Sequence, residues 1–292
     1  MSTELKENVV NVEPTYLAEK NAHSRDKDMQ FIENTHKYII VTDPDSKYDS
    51  VTTWNHSHFG HFNAALIIKN MMKGKNWNPE NKYWGMTAEE IKKKWSTDGL
   101  KAASLGTALH YAIECFMNRD DVTEPTNQMV YNSSNLVYAS PEWSYFLEFT
   151  RAFPELKPYR TEWRIYDEDI KLAGSIDMVY ENEDGTLSIY DWKRCKEISK
   201  VSAFKKHAKT ACINYIPDTN FWHYSLQLNT YKAILERKYG VSIRDLYLVQ
   251  LHEENPRKTF ELIKCADLSK EIEKLFELRR GGFLKVEEAV NV

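Results

Sequence analysis

The sequence predicts a mixed α/β or α+β protein in which helices come first and a run of strands follows. Apolar residues recur at helical spacing between residues 105 and 117. Later in the chain, an Asp-Gly turn at Asp184 and Gly185 separates two alternating segments, as in an antiparallel hairpin. Helices that precede such a strand meander are typical of a central sheet with helices on its faces.

The first half of the chain is predicted to be mainly helical. Residues 1–30 are polar and are expected to form a flexible N-terminal segment, and residues 31–292 a single domain. Within that domain, residues 31–155 form the helical part and residues 156–292 the sheet core. The elements predicted for the helical part are a hairpin at 36–41 and 48–54 and helices near 60–73, 87–96 and 100–118.

Sequence signals mark two of the helix starts. Thr87, with Glu90 three residues later, forms a capping box pattern at the start of a helix. After a polar linker at 119–139, Ser140 and Pro141 combine a capping residue with a favoured first helical residue. A helix is therefore expected from Pro141 to near Pro154.

The second half of the chain is predicted to form the sheet. Its strands are expected at about 159–167, 171–180, 186–193, 244–251 and 258–264. A helix around Gln227 separates the third strand from the fourth, and a last helix is expected at about 267–280.

Composition and charge exclude several classes of protein. With 42% apolar residues among 292, the chain can bury a sizeable core and is not disordered. Its net charge of −4 excludes a protein that coats DNA by charge alone. It has no apolar run of membrane-spanning length, and its four cysteines suggest no disulfide framework. A soluble intracellular protein of the cytoplasm or nucleus is therefore expected.

The strongest chemical signal lies in residues 173–193. Because strand side chains alternate between faces, Asp191 and Lys193 should point to one side of their strand and Trp192 to the other. Asp177 lies near the middle of the preceding strand, which the turn would place antiparallel. Two carboxylates and an ammonium would then share one cavity, although an Asp and a Lys two residues apart can also form an ordinary surface ion pair.

Such a cluster is suited to phosphodiester hydrolysis. Divalent ions bound by carboxylates neutralise phosphate oxygens, lower the pKa of water and stabilise the leaving oxygen. Hard oxygen ligands favour magnesium or manganese. Asp177 and Asp191 are the predicted ligands, with the Trp192 backbone carbonyl in a further position. Lys193 would position the attacking water or help to deprotonate it.

Other residues could complete this site. His110 and Glu114 lie one helical turn apart, so the imidazole could bind metal and the carboxylate support it. Glu162, in the first of the predicted strands, could add a third acid. Gln227 and Tyr231 share a helix face and could hold a phosphate or a base. Each also has a structural interpretation, as a satisfied helical histidine, an exposed strand glutamate or a solvated helix face.

Two further features concern nucleic-acid binding. The basic run 193–209 includes Arg194 and Lys196 and could follow a phosphate backbone, although such runs are usually a solvated surface. Aromatic residues are concentrated in the first third of the chain, where they could stack on unpaired bases or pack in a core. These aromatic residues are Trp54, Phe59, Phe62, Trp77 and Tyr83.

The order of these residues resembles that of a known family. The motifs are GxxxH at 106–110, Glu162, GSID ending at Asp177, DWK at 191–193 and QxxxY at 227–231. This series is similar to that of the RecB-like branch of the PD-(D/E)XK nuclease superfamily, and within it to mitochondrial genome-maintenance exonucleases and to viral and phage exonucleases. The proline of the family name is absent, because Ile176 precedes Asp177.

The resemblance implies a restriction-endonuclease-like mixed sheet flanked by helices, and DNA cleavage with magnesium or manganese. The positions that match metal ligands are His110, Asp177, Asp191 and the Trp192 carbonyl. Lys193 matches the catalytic lysine, and Glu162 an acid that supports the site. By the same analogy, Gln227 and Tyr231 organise the substrate, and the hydroxyls of Thr52, Thr53 and Thr107 bond a terminal phosphate. No iron–sulfur cluster is expected, because the chain has no Cys-x-x-Cys.

The function predicted from the sequence is a metal-dependent DNA nuclease, and more specifically an exonuclease that acts on single strands or duplex ends. Its partners would be DNA and proteins of replication or recombination, with no membrane contact and with a viral or phage origin compatible with the resemblance. Two alternatives stay open at this level: a non-cleaving nucleic-acid-binding module with the nuclease fold, and an RNA-directed endonuclease.

Overall fold

A mixed sheet forms the centre of the molecule. The computed structural model describes residues 14–32, 35–119, 136–202 and 204–290. The strands of the sheet are β3 (Asp49–Ser50), β4 (Lys157–Asp167), β5 (Leu172–Glu181), β6 (Leu187–Lys193), β7 (Ile243–Gln250) and β8 (Glu261–Lys264). Two earlier strands, β1 (Met29–Ile32) and β2 (Lys37–Ile40), pair as a separate antiparallel hairpin.

Helices accompany the sheet on both faces, and this confirms the predicted fold class. They are α1 (Tyr16–Lys20), α2 (Val51–Ser57), α3 (Ala64–Lys73), α4 (Ala88–Met117), α5 (Pro141–Ala152), α6 (Asn220–Ile234) and α7 (Ser269–Val290). Both predicted start signals are used: Thr87 and Glu90 form the capping box of α4, and the Ser140 hydroxyl accepts the N–H of Trp143 at the start of α5. Among the described residues, we find no helix with the length and apolarity needed to span a bilayer.

The pairing of β5 changes partway along the strand. On one side β5 is antiparallel to β4 along its whole length. On the other side it pairs antiparallel with β6 only from Met178 to Glu181, and its first residues, Leu172 and Ala173, pair in parallel with β3. Beyond β6 follow β7, in parallel, and then β8, antiparallel. The paired stretch of β5 and β6 therefore ends at Met178 and Tyr190, and Asp177 and Asp191 are the first residues beyond it.

The sheet separates two hydrophobic cores. On one face, Leu187 and Ile189 of β6 are buried in a core that α2, α6 and α7 complete. On the other face, Tyr190 and Trp192 are buried with residues of α4 and α5. The predicted alternation of β6 is confirmed, because Trp192 lies in this second core while Lys193 lies against α6. Residues on either side of Trp192 are thus directed away from that core.

A separate, smaller core lies in a segment that we call the helical lobe, residues 60–105. It contains α3 and the first half of α4, with Ile68, Tyr83 and Ile91 buried at its centre. Helix α4 enters the core of Tyr190 and Trp192 at Leu109. Between the lobe's core and Leu109, the ten residues 96–105 are all exposed. Helix α4 therefore bridges the lobe and the sheet.

Three sequence predictions about the first half were wrong. The helices expected at 87–96 and 100–118 are one continuous helix, α4, because Gly99 costs only about 1 kcal/mol in a helix of 30 residues. The partner of β2 is β1 and not residues 48–54, where Ser50 instead caps α2 by accepting the N–H of Thr53.

The expectation of a flexible segment over residues 1–30 was also wrong for residues 14–30. Residues 14–30 contain α1 and the first half of β1, and they are attached to the rest of the protein: Arg160 of β4 pairs with Asp26 at 2.7 Å, and the Asn118 side chain accepts the N–H of Leu17. Residues 1–13 lie outside the described residues. So does most of the predicted polar linker at 119–139, of which residues 120–135 are not described and residues 136–139 form a 3-10 turn.

The buried side chain of His58 gives the first testable prediction. Burial, together with the nearby cations Arg279 and Lys209, lowers its pKa from 6.5 to about 4. A lowered histidine pKa means that its contribution to stability is present above pH 6.5 and is lost as the pH falls toward 4. From pH 7 to pH 4, we expect the free energy of unfolding to fall by about 2–3 kcal/mol more in the wild type than in His58→Asn.

Chemical denaturation at several pH values measures this difference. The variant retains a polar group for the contact that His58 Nδ1 makes with the Thr210 hydroxyl at 2.9 Å. Identical pH profiles for the two proteins would contradict the assignment of His58 as a neutral buried side chain.

Candidate metal and catalytic site

The candidate site begins where β5 and β6 separate. The carboxylate of Asp177, on β5, accepts the backbone N–H of Trp192, on β6, at 3.0 Å. The backbones of β5 and β6 are no longer hydrogen-bonded to each other at this point. The Asp177 side chain therefore accepts an N–H that a backbone carbonyl of β5 would accept in a continuous ladder. Asp177 is thereby fixed in the gap between the two strands.

Helix α4 delivers the imidazole of His110 to the same gap. Its Nε2 lies 2.9 Å from the carbonyl oxygen of Trp192, and its Nδ1 lies 3.5 Å from the carboxylate of Asp177. Because a carbonyl can only accept, Nε2 carries the proton, and a neutral ring then has its lone pair on Nδ1. A histidine that donates one ring N–H to a backbone carbonyl is the usual arrangement for a metal ligand.

Glu162 enters from the other side of Asp177, on β4. In the ladder between β4 and β5, its neighbours Thr161 and Trp163 pair with Met178 and Ile176, so Glu162 lies opposite Asp177. Its backbone has a φ of 42°, a left-handed conformation that is unfavourable for a glutamate inside a strand. Such strain, of order 1–3 kcal/mol, is concentrated at functional sites.

These three residues form the group best placed to hold a metal ion. One possible ligand atom from each of His110, Glu162 and Asp177 lies within 4.8 Å of the others. Burial and the charge of Asp177 raise the pKa of Glu162 to about 7, while the Ser175 hydroxyl donates to its carboxylate at 2.8 Å. The predicted supporting residue Glu114 contributes a further negative charge near Glu162. The crowding of like charges makes this site suited to a cation.

Asp191 and Lys193 lie beside this group as an ion pair. The Lys193 ammonium is 2.5 Å from the Asp191 carboxylate, which confirms that the two side chains share one face of β6. Burial, with a further contribution from Asp177, raises the pKa of Asp191 to about 6 despite the lysine. Burial alone would lower the pKa of Lys193, but the charges of Asp191 and Asp177 more than offset it, so that its pKa is raised.

Two tyrosines near the site were not found by sequence reasoning. The ring of Tyr224, on α6, lies 4.4 Å from the Lys193 ammonium. Its position three residues before Gln227, on the same side of the helix, was the available signal. Burial and the nearby Glu162 carboxylate raise the pKa of Tyr38, on β2, to about 12. No sequence signal places Tyr38 here, because its neighbourhood depends on how the β1–β2 hairpin docks.

The side chains of Gln227 and Tyr231 lie on one face of α6, as their spacing predicts, and they are hydrogen-bonded to each other. The Gln227 amide donates to the Tyr231 hydroxyl at 3.1 Å and to the Thr52 hydroxyl at 3.0 Å. Thr53 is bonded within the cap of α2, to Ser50. Thr52 is thus linked to the Gln227 motif. The role of these residues toward a substrate stays a prediction.

Several predicted substrate-binding residues have partners outside the cluster. Arg194 forms a largely buried ion pair with Glu142 at 2.9 Å, and Lys196 forms an exposed one with Glu254 at 2.6 Å. The Thr107 hydroxyl donates to the carbonyl of Ala103 in its own helix, at 3.1 Å. The structure does not bring these three side chains into the site, and their binding roles stay predictions.

Comparison with known proteins identifies the family. The family model of the PD-(D/E)XK nuclease superfamily matches residues 82–283, more than half of the chain and all of the residues of the metal group. No curated protein matches the sequence. Among solved structures, a candidate exonuclease from Eubacterium rectale aligns over 83% of this chain and 82% of its own, with 13% identity and a TM-score of 0.42. Similarity at that level says nothing about function.

Gly174, in the GSID motif, provides a test of how the site is packed. A Cβ added there would lie 2.7 Å from a ring carbon of Tyr231, whose side chain is buried. We expect Gly174→Ala to lower the free energy of unfolding by about 1–3 kcal/mol, because the ring must move. Denaturant titration measures the loss.

Gly99→Ala is the matched control, because a Cβ at Gly99 meets nothing within 4 Å. Helix propensity predicts that this change stabilises the protein by about 0.5–1 kcal/mol. If the two alanine variants have the same stability, Tyr231 does not press on Gly174 as the structure indicates.

Proposed function

This chain belongs to the PD-(D/E)XK nuclease superfamily, and from this premise we propose that it is a divalent-metal-dependent deoxyribonuclease that degrades DNA from an end. Membership of the superfamily implies phosphodiester hydrolysis. The observation that carries the metal requirement is the convergence of His110, Glu162 and Asp177 beside the Asp191–Lys193 pair.

The donor set suits magnesium or manganese. His110, Glu162 and Asp177 would hold the ion, and Asp191 is an additional ligand proposed from the motif. The Trp192 carbonyl, also proposed from the motif, accepts the Nε2 proton of His110 in this structure, so it could bind the ion only after that hydrogen bond opens. The raised pKa of Glu162 and of Asp191 has burial as its main cause and like-charge repulsion as a further one, and a cation would relieve the repulsion. A bound divalent ion would neutralise charge on the scissile phosphate and make water more acidic.

The residues of the chain divide the remaining tasks. With its raised pKa, Lys193 keeps its proton at neutral pH, so we assign it to orienting the attacking water and to stabilising negative charge, rather than to removing a proton. Tyr224 holds the ammonium from the side of α6. The Trp192 carbonyl accepts the Nε2 proton of His110, and this hydrogen bond sets the orientation of the imidazole ring. Gln227, hydrogen-bonded to Tyr231 and Thr52, would position the substrate phosphate.

Binding of the metal alone gives one test. We expect Mn²⁺ in excess to raise the melting temperature of the wild type by a few degrees at pH 8, since ligand at 100 times its Kd adds about 2.7 kcal/mol. Asp177→Asn should lose most of this gain. Asp184→Asn, in the exposed turn before β6, should keep it. An equal shift in all three proteins would place the metal elsewhere.

The metal effect should depend on pH. Because the pKa of Glu162 is raised from 4.5 to about 7, its contribution to the stability of the metal-free protein is present below pH 4.5 and is lost as the pH rises through 7. Metal binds the deprotonated carboxylates, so the Mn²⁺-induced gain should grow between pH 5.5 and pH 8. A gain that is the same at both pH values would argue against Glu162 as a ligand.

Catalysis is tested with end-labelled linear DNA and closed circular DNA, with and without magnesium. We expect the linear DNA to shorten from an end while the circular DNA survives, and we expect Lys193→Ala to reduce the rate by about 10²-fold or more. Lys270→Ala, on the exposed surface of α7, should leave the rate unchanged.

Other outcomes of this assay would replace the proposal. Cleavage of the circle indicates an endonuclease, and cleavage of RNA in preference to DNA indicates an RNA-directed enzyme. Binding of DNA without turnover in either metal indicates the non-cleaving module.

A further inference from the structure

The helical lobe, residues 60–105, differs in charge from the rest of the protein. It contains eight lysines and four acidic residues, a net charge of +4, whereas the whole chain has −4. The lysines are Lys69, Lys73, Lys75, Lys82, Lys92, Lys93, Lys94 and Lys101. An electropositive segment on an acidic protein is suited to a polyanionic partner.

Large apolar side chains are exposed among these lysines. Phe62 is 74% exposed, Trp84 is 47% exposed and Leu100 is 71% exposed. The ring of Phe62 lies 6.1 Å from that of Trp95, and the ring of Trp84 lies 5.6 Å from that of Trp77. Of the aromatic residues noted in the sequence, Trp54, Phe59 and Tyr83 are buried in cores. Two exposed rings, each backed by a second ring, therefore lie on the basic surface.

The same surface continues along α4 to the metal group. Residues 96–105 of this helix are exposed on every side, which is unusual for a helix that carries leucines. The face that bears His110 continues through Gly106, Ala103 and Gly99, and a Cβ at either glycine would meet nothing within 4 Å. From Trp95 to His110 the helix rises about 22 Å.

We propose that the helical lobe and residues 96–105 of α4 form a docking surface for single-stranded DNA that leads to the nuclease site. Unpaired bases stack on Phe62 and Trp84, and phosphates contact the lysines. The inference rests on the proposed function and extends it by naming the form of DNA. Single strands fit this surface because bases in a duplex are already stacked and offer no face to an exposed ring. A purely apolar protein partner would provide no negative charge to pair with the lysines.

Binding of a fluorescent single-stranded 20-mer, measured by anisotropy in EDTA so that nothing is cleaved, tests the proposal. We expect Phe62→Ala and Trp84→Ala each to weaken binding about 5- to 100-fold, the effect of removing one base-stacking ring. Phe62→Tyr, which keeps a ring, should bind like the wild type. Binding to a duplex of the same length should change less than twofold in all three variants.

The charge contribution is tested by salt dependence. Replacing both Lys92 and Lys93 by glutamate should reduce the slope of log affinity against log salt by about 0.7 for each phosphate that the protein no longer neutralises. The matched controls lie on α7: Leu278→Ala, where the side chain is 59% exposed, and Lys274→Glu. Neither control should weaken the binding of single strands, and every variant should melt within about 2 °C of the wild type.

The outcomes separate this inference from the proposed function. Wild-type affinity in Phe62→Ala and in Trp84→Ala would overturn the docking surface, as would an equal loss for single strands and duplex. A protein that cuts DNA but ignores both ring substitutions contradicts only the docking surface. A protein that loses single-strand binding on ring removal but cuts no nucleic acid contradicts only the proposed function.

Discussion

The site depends on one hydrogen bond, from the backbone N–H of Trp192 to the carboxylate of Asp177. When two strands separate inside a protein, their freed backbone groups must find other partners, or each costs about 1–3 kcal/mol. Here the N–H of Trp192 bonds to Asp177 and its carbonyl bonds to His110. Side chains of the site itself thus stabilise the separation of β5 and β6. The residues of the metal group and the opening in the sheet therefore depend on each other.

The residues around the gap between β5 and β6 fix its geometry, and some of them lower the stability of the protein. Trp192 is anchored in the core below, with Phe146 and Phe149 edge-on to its ring at 5.5 Å. On the site side, Glu162 has a strained backbone, and burial, with repulsion from Asp177 as a further cause, raises the pKa of Glu162 and of Asp191. A protein can tolerate a local loss of stability when large hydrophobic cores surround it, and such losses are concentrated at functional sites. The strain and the repulsion are therefore consistent with selection for a cation rather than for stability.

Much of the sheet could be predicted because its signals are local. Alternation in DWK places Asp191 and Lys193 on one face, and the turn at Asp184 and Gly185 pairs β5 with β6. Glu142 beside Arg194 could not be predicted, because the contact joins segments far apart in the chain. The hairpin of β2 was misassigned for a similar reason: two strand-like neighbours compete, and packing on the sheet selects β1.

The sequence by itself determined the family, the order of β4 to β8 along the chain and the residue types of the site, because motif order, alternation and capping are properties of adjacent residues. Tertiary structure alone decided that Asp177 bonds Trp192, that His110 approaches with a defined ring nitrogen and that Arg194 is withdrawn into an ion pair. It also decided that α4 crosses open solvent between two cores. These features depend on the angles and distances at which separate elements pack, and no local pattern encodes them.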